Sequence, residues 1–362
     1  MNIMIVYGGK SCEHDISIIT ACLARGYFKG NIYSVYFDKN NCAYLTGNEW
    51  TPRDHVTKKL TKKVMFVFGE GKIAIRKGKL SVEQVPIDVA VNCCHGLSGE
   101  DGCIAALCQM ARIPLVGSDI TSSAIAMDKV LTKRVLKDIE MPVVNGVEVT
   151  HESMSEFLKD CGGLKLPIIV KPAMLGSSIG VEVAHDVSEL QQALKRALRY
   201  DGKVLCEEAL TDFIELNCAT FKCKGKVITS VVDCPVTVHD VLTFADKYIA
   251  NDAYGREPIK VEEQVVEEVK RMTVEIYTKL NFAGVIRVDY LYDKTTGKLF
   301  VNEINTTPGS LAYGLWEASF SRTQYGEALV EQAIADYREM QQRVYTFESG
   351  VLNGGNGAKK KK

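Results

Sequence analysis

The 362-residue sequence predicts a mixed α/β and α+β protein, with a doubly wound unit at the amino end and two α+β units after it. Three observations carry this prediction. The chain opens on an apolar run that a glycine pair ends and a helical pattern follows. Bracketed and paired apolar runs recur further on. And 362 residues exceed the roughly 250–300 that one core usually holds.

Residues 3–7 are nearly all apolar, as a strand buried on both faces must be. Gly8 and Gly9 interrupt the run, and residues 17–24 read as a helix; strand, glycine turn and helix open a doubly wound unit. Apolar runs at 64–68 and 85–92 predict further strands, followed by the glycine-rich segment 96–102, a helix at 104–111 and the stretch IPLVG. A first domain, Rossmann-like, is therefore expected over residues 1–117. The second, 118–203, begins with a helix at 122–139 and continues through LPIIVKP, a strand bracketed by Pro167 and Pro172. A helix at 186–200 follows, with Leu190, Leu194, Ala197 and Leu198 at helical spacing. The third, 204–345, holds an amphipathic helix at 262–280, whose stripe is Val265, Val269, Met272, Ile276 and Leu280. Strands at 285–292 and 299–303 come next, joined by a polar turn at 293–297. Residues 346–362 lose the pattern and end in a lysine run, which predicts a disordered, solvated tail. The sequence has no internal repeat.

Composition narrows the function. Lys and Arg number 44 against 45 Asp and Glu, a net charge of −1, so nothing draws the chain as a whole to nucleic acid or an anionic membrane. Twelve cysteines show no C-x-x-C pair and mostly lie in apolar stretches, where free Cys behaves as a small hydrophobe. The start MNIMIVYGGK lacks a basic region and a long apolar segment, and no apolar run approaches the roughly 20 residues of a membrane span. A cytoplasmic protein with small-molecule partners is expected.

Four groups of residues carry chemistry. In KPAMLGSSIG, residues 171–180, a strand ends in Lys171 and enters a loop with Gly176, Ser177, Ser178 and Gly180. Backbone N–H groups and hydroxyls in such a loop can approach phosphate oxygens while the lysine supplies charge; an ordinary hairpin is the plain alternative. In RVDYLYDKTTGKLFVNEINTTPG, residues 287–309, two antiparallel strands would set Asp289, Glu303 and Asn305 on one side with Arg287 beside them. Three oxygen donors suit Mg2+, which keeps few protein ligands besides phosphate and water; an edge hairpin with solvated charges is the alternative. HGLSGEDG follows a buried strand and offers His95, which otherwise reads as a satisfied core histidine. GGKSCEHDIS places Glu13 at the carboxyl edge of the first sheet, where ligands of open α/β sheets bind; alone it is a first-turn carboxylate.

GGKSCEH-x-IS, HG-x-x-GEDG, AMDK-x-x-TK, VKP-x-x-x-GSS-x-G, the KY pair and R-x-D…NEINTTPG stand in the order found in D-alanine–D-alanine ligases, and the chain resembles that family of the ATP-grasp superfamily over residues 1–340. The resemblance implies an ATP-grasp fold and an enzyme that joins two D-amino acids, D-alanine with D-alanine, through an acyl phosphate for peptidoglycan precursors. It implies ATP and two Mg2+ ions, with Mn2+ as a substitute, and a homodimer. Lys129 and Lys171 would hold ATP phosphates under the loop of Ser177 and Ser178, and Lys247 would reach the γ-phosphate. Glu207 and the segment to Leu210 would meet adenine, and Glu215 the ribose. Asp289, Glu303 and Asn305 would bind the metal ions. Glu13, helped by His95, would take the first substrate's ammonium. Arg287 and the N–H of Gly309 would form an oxyanion hole, and Ser177, Tyr248 and Glu13 a hydrogen-bonded triad.

Two stretches depart from the family. TFADKY is shorter before the KY pair, and SLAYGLWEA after Gly309 is shorter where relatives supply a serine to the second amino acid, which leaves Ser310 as the candidate there. Tyr248 favours an amine nucleophile. Another carboxylate–amine ligase with a different second substrate, such as a D-Ala–D-Ser ligase, is the alternative reading; a nucleotide-binding regulator is the third, disfavoured because a pure binder needs no metal set.

Overall fold

The computed structural model describes residues 1–78, 81–235, 261–344, 346–347 and 352. Lys247 and Tyr248 lie outside them, as does nearly all of the expected tail.

The amino-terminal sheet has the order β3-β2-β1-β7-β8, formed by β1 (Asn2–Gly8), β2 (Asn31–Phe37), β3 (Ala43–Thr46), β7 (Val89–Asn92) and β8 (Leu115–Val116). β1 pairs in parallel with both β2 and β7, while β3 turns back antiparallel at the edge. Ile5 and Tyr7 bury one face of β1, and Met4 and Val6 the other, in two separate cores. The expected helix begins at His14, earlier than its apolar pattern, and runs to Ala24. β2 was not anticipated, because its half-exposed start dilutes the apolar signal.

The run at 85–92 is not one strand. Pro86 ends β6 (Val82–Pro86), and β7 starts afresh at Val89, since proline cannot donate to a ladder. β6, β5 (Lys72–Arg76) and β4 (Val64–Val67) form a separate antiparallel sheet, so the strand expected at 64–68 does not belong to the doubly wound one. The helix expected at 122–139 is likewise two, Ile120–Met127 and Lys129–Asp138. Asp128 between them is extended, and its carboxylate accepts from the N–H groups of Val130 and Leu131 at 3.0 and 3.2 Å. A side-chain cap of this kind outcompetes helix continuation.

The central sheet is antiparallel, β11-β10-β12-β9, from β9 (Gly146–Thr150), β10 (Ile168–Pro172), β11 (Glu182–Ala184) and β12 (Lys203–Glu208). β12 pairs with β10 and β9, which carries this unit past the expected boundary at 203. Asp186 caps the helix Val187–Ala197, whose Leu190, Leu194 and Ala197 are buried as their spacing requires. The last sheet, β14-β13-β15-β16, comprises β13 (Phe213–Cys223), β14 (Lys226–Asp233), β15 (Ile286–Asp293) and β16 (Lys298–Asn305). The helix Glu263–Lys279 buries Val269, Met272 and Ile276 in the core shared with this sheet. The helix Arg322–Gln341 returns to the amino-terminal unit, where Tyr325 and Leu329 join Tyr7 and Tyr27 in one core with Trp316. Among the described residues no helix is long and apolar enough to cross a membrane.

Candidate active site

The site grows from the carboxyl ends of β1 and β7, the neighbours at which the strand order changes direction. Glu13 follows β1 and is 5% exposed. The turn before it is pinned by backbone and side chain: Gly9 N–H donates to Phe37 O at 2.8 Å, and His14 Nδ1 meets Gly9 O at 2.7 Å. Two glycine loops close on the Glu13 carboxylate. A Cβ on Gly96 would stand 2.8 Å from Oε2, and one on Gly176 would stand 2.7 Å from Oε1, so neither position has room for a side chain. Ser177 Oγ donates to Glu13 Oε1.

His95 follows β7 and is buried. Its N–H donates to Ser17 Oγ at 2.7 Å, and Nε2 meets Thr20 Oγ1 at 2.9 Å. Burial first, and then the positive charge of Arg287, lower its pKa to about 3, so the ring is neutral at physiological pH. A neutral ring can neighbour a bound ammonium without repelling it. Glu100, a site residue that the motif's spacing does not signal, accepts from Gly96 N–H at 2.8 Å and Thr307 N–H at 3.0 Å. It thereby ties the loop after β7 to the loop after β16. Burial, reinforced by the charge of Glu13, holds its carboxyl well above the usual range.

The hairpin β15–β16 supplies the oxygen donors. Arg287 pairs with Asn305 and Asp289 with Glu303, so the strand period sets all four on one side. Asp289, 1% exposed, accepts from Arg287 Nε and Nη2 at 2.6 and 2.7 Å and from Asn305 Nδ2 at 3.0 Å. This last bond makes Oδ1 the end of the Asn305 amide that can meet a cation. The ladder shifts register beside Asp289, where Tyr290 pairs with Val301, so Asn302 is the extra residue of a bulge. Its Oδ1 accepts from Lys171 Nζ at 3.1 Å, a contact that spacing alone does not predict.

Lys171, the penultimate residue of β10, also donates to Glu207 Oε2 at 2.7 Å. The opposite oxygen of Glu207 lies 2.9 Å from Lys133 Nζ. Glu207, expected beside adenine, is 1% exposed and held between two lysines in this structure. Lys129 Nζ donates to Leu175 O at 2.6 Å, which anchors the glycine–serine loop. Ser177 and Ser178 in that loop both have left-handed backbone, φ 51° and 56°. Such conformations cost about 1–3 kcal/mol each and persist where surrounding contacts impose them. Leu210 and Glu215 are half-buried near the start of β13. Gly309 begins a tight turn, Gly309–Ala312, in which Ser310 N–H donates to Thr20 Oγ1 at 3.3 Å.

One cleft gathers much of this set: Glu100, Lys129, Gly176, Glu303, Asn305 and Thr306 line it. Lys171 reaches its wall through Asn302, whereas Glu13, Ser177, Arg287, Asp289 and Gly309 do not line it, nor do Leu210 and Glu215. Glu303 and Asn305 at the cleft, with Asp289 hydrogen-bonded to Asn305, are hard oxygen donors of the kind Mg2+ takes, and Lys129 at the same cleft suits phosphate oxygens.

Comparison with known proteins agrees over nearly the whole chain. A family model described as D-ala D-ala ligase N-terminus matches residues 2–118, and one described as D-ala D-ala ligase C-terminus matches residues 135–341. The D-alanine–D-alanine ligase of Thermosipho africanus is 31% identical over 366 residues, covering 98% of each chain. That of Solibacter usitatus is 30% identical, covering 94% of this chain and 98% of the relative. The solved D-alanine–D-alanine ligase of Coxiella burnetii superposes with a TM-score of 0.79 at 25% identity, covering 94% of this chain and 96% of that one. The doubly wound unit followed by two α+β units is thus the ATP-grasp fold. The chain belongs to the D-alanine–D-alanine ligase family, the ATP-dependent ligases of peptidoglycan synthesis.

Proposed function

We propose that the cleft between Glu13, the Gly176–Ser178 loop and the hairpin β15–β16 is where this chain joins one D-alanine to another, with these residues in the following roles. Glu13 takes the ammonium of the first D-alanine, and neutral His95 stands beside it. Lys129 and Lys171 hold ATP phosphates, Lys247 the γ-phosphate, Glu207 to Leu210 the adenine and Glu215 the ribose. Asp289, Glu303 and Asn305 hold two Mg2+ ions, which when bound neutralise charge on the transferring phosphoryl group.

The chemistry then follows from what a carboxylate lacks. It is a poor electrophile, so one of its oxygens first attacks the γ-phosphorus, the bond to ADP breaks, and an acyl phosphate results. The free amine of the second D-alanine attacks the acyl carbon; phosphate leaves with the bonding electrons and takes up the proton that the amine gives up. Arg287 and the N–H of Gly309 face the carbonyl oxygen as charge develops there, an interaction worth about 3–4 kcal/mol per donor in the transition state. The loop of Ser177 and Ser178, tied to Glu13 and, in this reading, to Tyr248, shields the acyl phosphate from water.

The observation that carries this reading is the hairpin register, Arg287 opposite Asn305 and Asp289 opposite Glu303, of which Glu303 and Asn305 line one cleft with Lys129. Ser310 is our candidate for the second substrate's carboxylate, in a cytoplasmic homodimer. The test is to incubate the protein with ATP, Mg2+ and a panel of D-alanine, D-serine and D-lactate, following ADP and product masses. D-Alanyl-D-alanine with matching ADP is the expected result. A mixed product as the main species would move the assignment to a different acceptor, and ADP with no condensed product would overturn it.

A further inference from the structure

Lys133 has no role in the reading above, yet it is among the most enclosed cations in the described chain. Its side chain is 7% exposed. The ammonium forms an ion pair with Glu207 Oε1 at 2.9 Å and donates to Val301 O at 3.0 Å, so one side chain of the helix Lys129–Asp138 reaches both α+β sheets. Glu207 is shared. Its second oxygen accepts from Lys171 at 2.7 Å, and Lys171 also holds Asn302 beside the cleft.

This arrangement raises a problem for nucleotide binding. If Lys171 turns toward a phosphate, as proposed above, it must loosen its hold on Glu207. A carboxylate 1% exposed, left without a cation, would oppose that movement. Lys133 removes the opposition. It stays on the far oxygen of the same carboxylate, anchored by the backbone carbonyl of Val301. Burial alone would drive the Glu207 carboxyl upward, but Lys133 and then Lys171 more than offset it and hold it at about 2.

We propose that Lys133 is a positioning residue for ATP: the fixed counter-charge of Glu207 that lets Lys171 exchange that carboxylate for a phosphate. This rests on the assignment of Lys171 to phosphate. Without Lys133, the folded apo protein still has the Lys171–Glu207 pair, so the defect falls on the nucleotide-bound state.

A double-mutant cycle on the full chain tests this, with ADP–Mg2+ as the probe and affinity measured by calorimetry. Lys133→Met should weaken ADP binding about 10-fold or more, whereas in a Glu207→Gln background the same change should alter it by less than about 2-fold, because no buried charge remains to be balanced. Lys133→Arg should recover much of the loss. In steady state, Lys133→Met should raise KM for ATP more than it lowers kcat. A purely structural lysine would instead give equal losses in both backgrounds, and that result overturns the proposal. So does undiminished ADP affinity in a folded Lys133→Met protein. Should Lys133→Met fail to fold alone, the Lys133→Arg and Lys133→Met/Glu207→Gln proteins still decide: the double variant must bind ADP as Glu207→Gln does. Absence of ADP binding by the wild type would overturn the nucleotide reading itself, a separate outcome.

Discussion

Replacing Ser177 by Ala removes one hydroxyl from the centre of the site. Ser177 Oγ donates to Glu13 Oε1, and the two residues are 9% and 5% exposed, so water does not readily substitute for the lost donor. A hydrogen bond to an ionised group contributes about 1.5–3 kcal/mol. At about 1.4 kcal/mol per factor of ten, kcat/KM for D-alanine should fall about 10- to 150-fold. Ser and Ala both carry a Cβ, so the left-handed backbone at φ 51° costs each the same, and the difference isolates the hydroxyl. Initial rates of ADP release against D-alanine, at saturating ATP, measure it. KM for ATP should move less than about threefold, since the bond aligns the amino acid and not the phosphates. A kcat/KM within about twofold of wild type would refute the reasoning.

Other replacements probe separate parts of the site. Glu303→Gln should abolish turnover and leave the melting temperature nearly unchanged, because it removes metal charge and little packing; undiminished activity at saturating Mg2+ would strike Glu303 from the ligand set. Arg287→Ala should lower kcat about 100-fold or more with a smaller change in KM, and it should also destabilise the fold, since Asp289 at 1% exposure loses its two-pronged partner; full activity, or an unchanged melting temperature, contradicts one half of that statement. His95 titrates near 6.5 when unfolded and near 3 when folded, so the unfolded state binds the extra proton as pH falls below about 6.5. Wild-type stability relative to His95→Asn should therefore drop by up to about 1.4 kcal/mol per pH unit between pH 6.5 and 5; a flat difference in urea melts would mean that the buried ring is not held neutral.

What the sequence disclosed about this site is what local geometry sets. The two-residue strand period was enough to group Arg287, Asp289, Glu303 and Asn305, and their register follows it. The glycine turn after β1 was enough to bring Glu13 to the sheet edge. What stayed hidden depends on distant partners or on breaks in periodicity. Lys133 shares the buried face of its helix with Val130 and Leu136, but a lysine in sequence reads as solvent-facing, and nothing nearby signals that Glu207 and Val301 enclose it. Asn302 occupies a bulge, which interrupts the alternation that strand reading assumes. Asp128 splits an apolar pattern that is continuous in sequence, because its side chain competes for the backbone. Glu100 stands among the glycines of a loop motif, and nothing local signals that its carboxylate accepts from a residue 207 positions away.

The proposed catalysis turns on activation of a carboxylate by phosphoryl transfer at the shared cleft. D-Alanine labelled with 18O in its carboxyl group, incubated with ATP and Mg2+, should deliver one label into the released inorganic phosphate for each dipeptide formed. Dipeptide accompanied by unlabelled phosphate would contradict the acyl-phosphate route and the roles given to Lys171, Asp289, Glu303 and Arg287 with it.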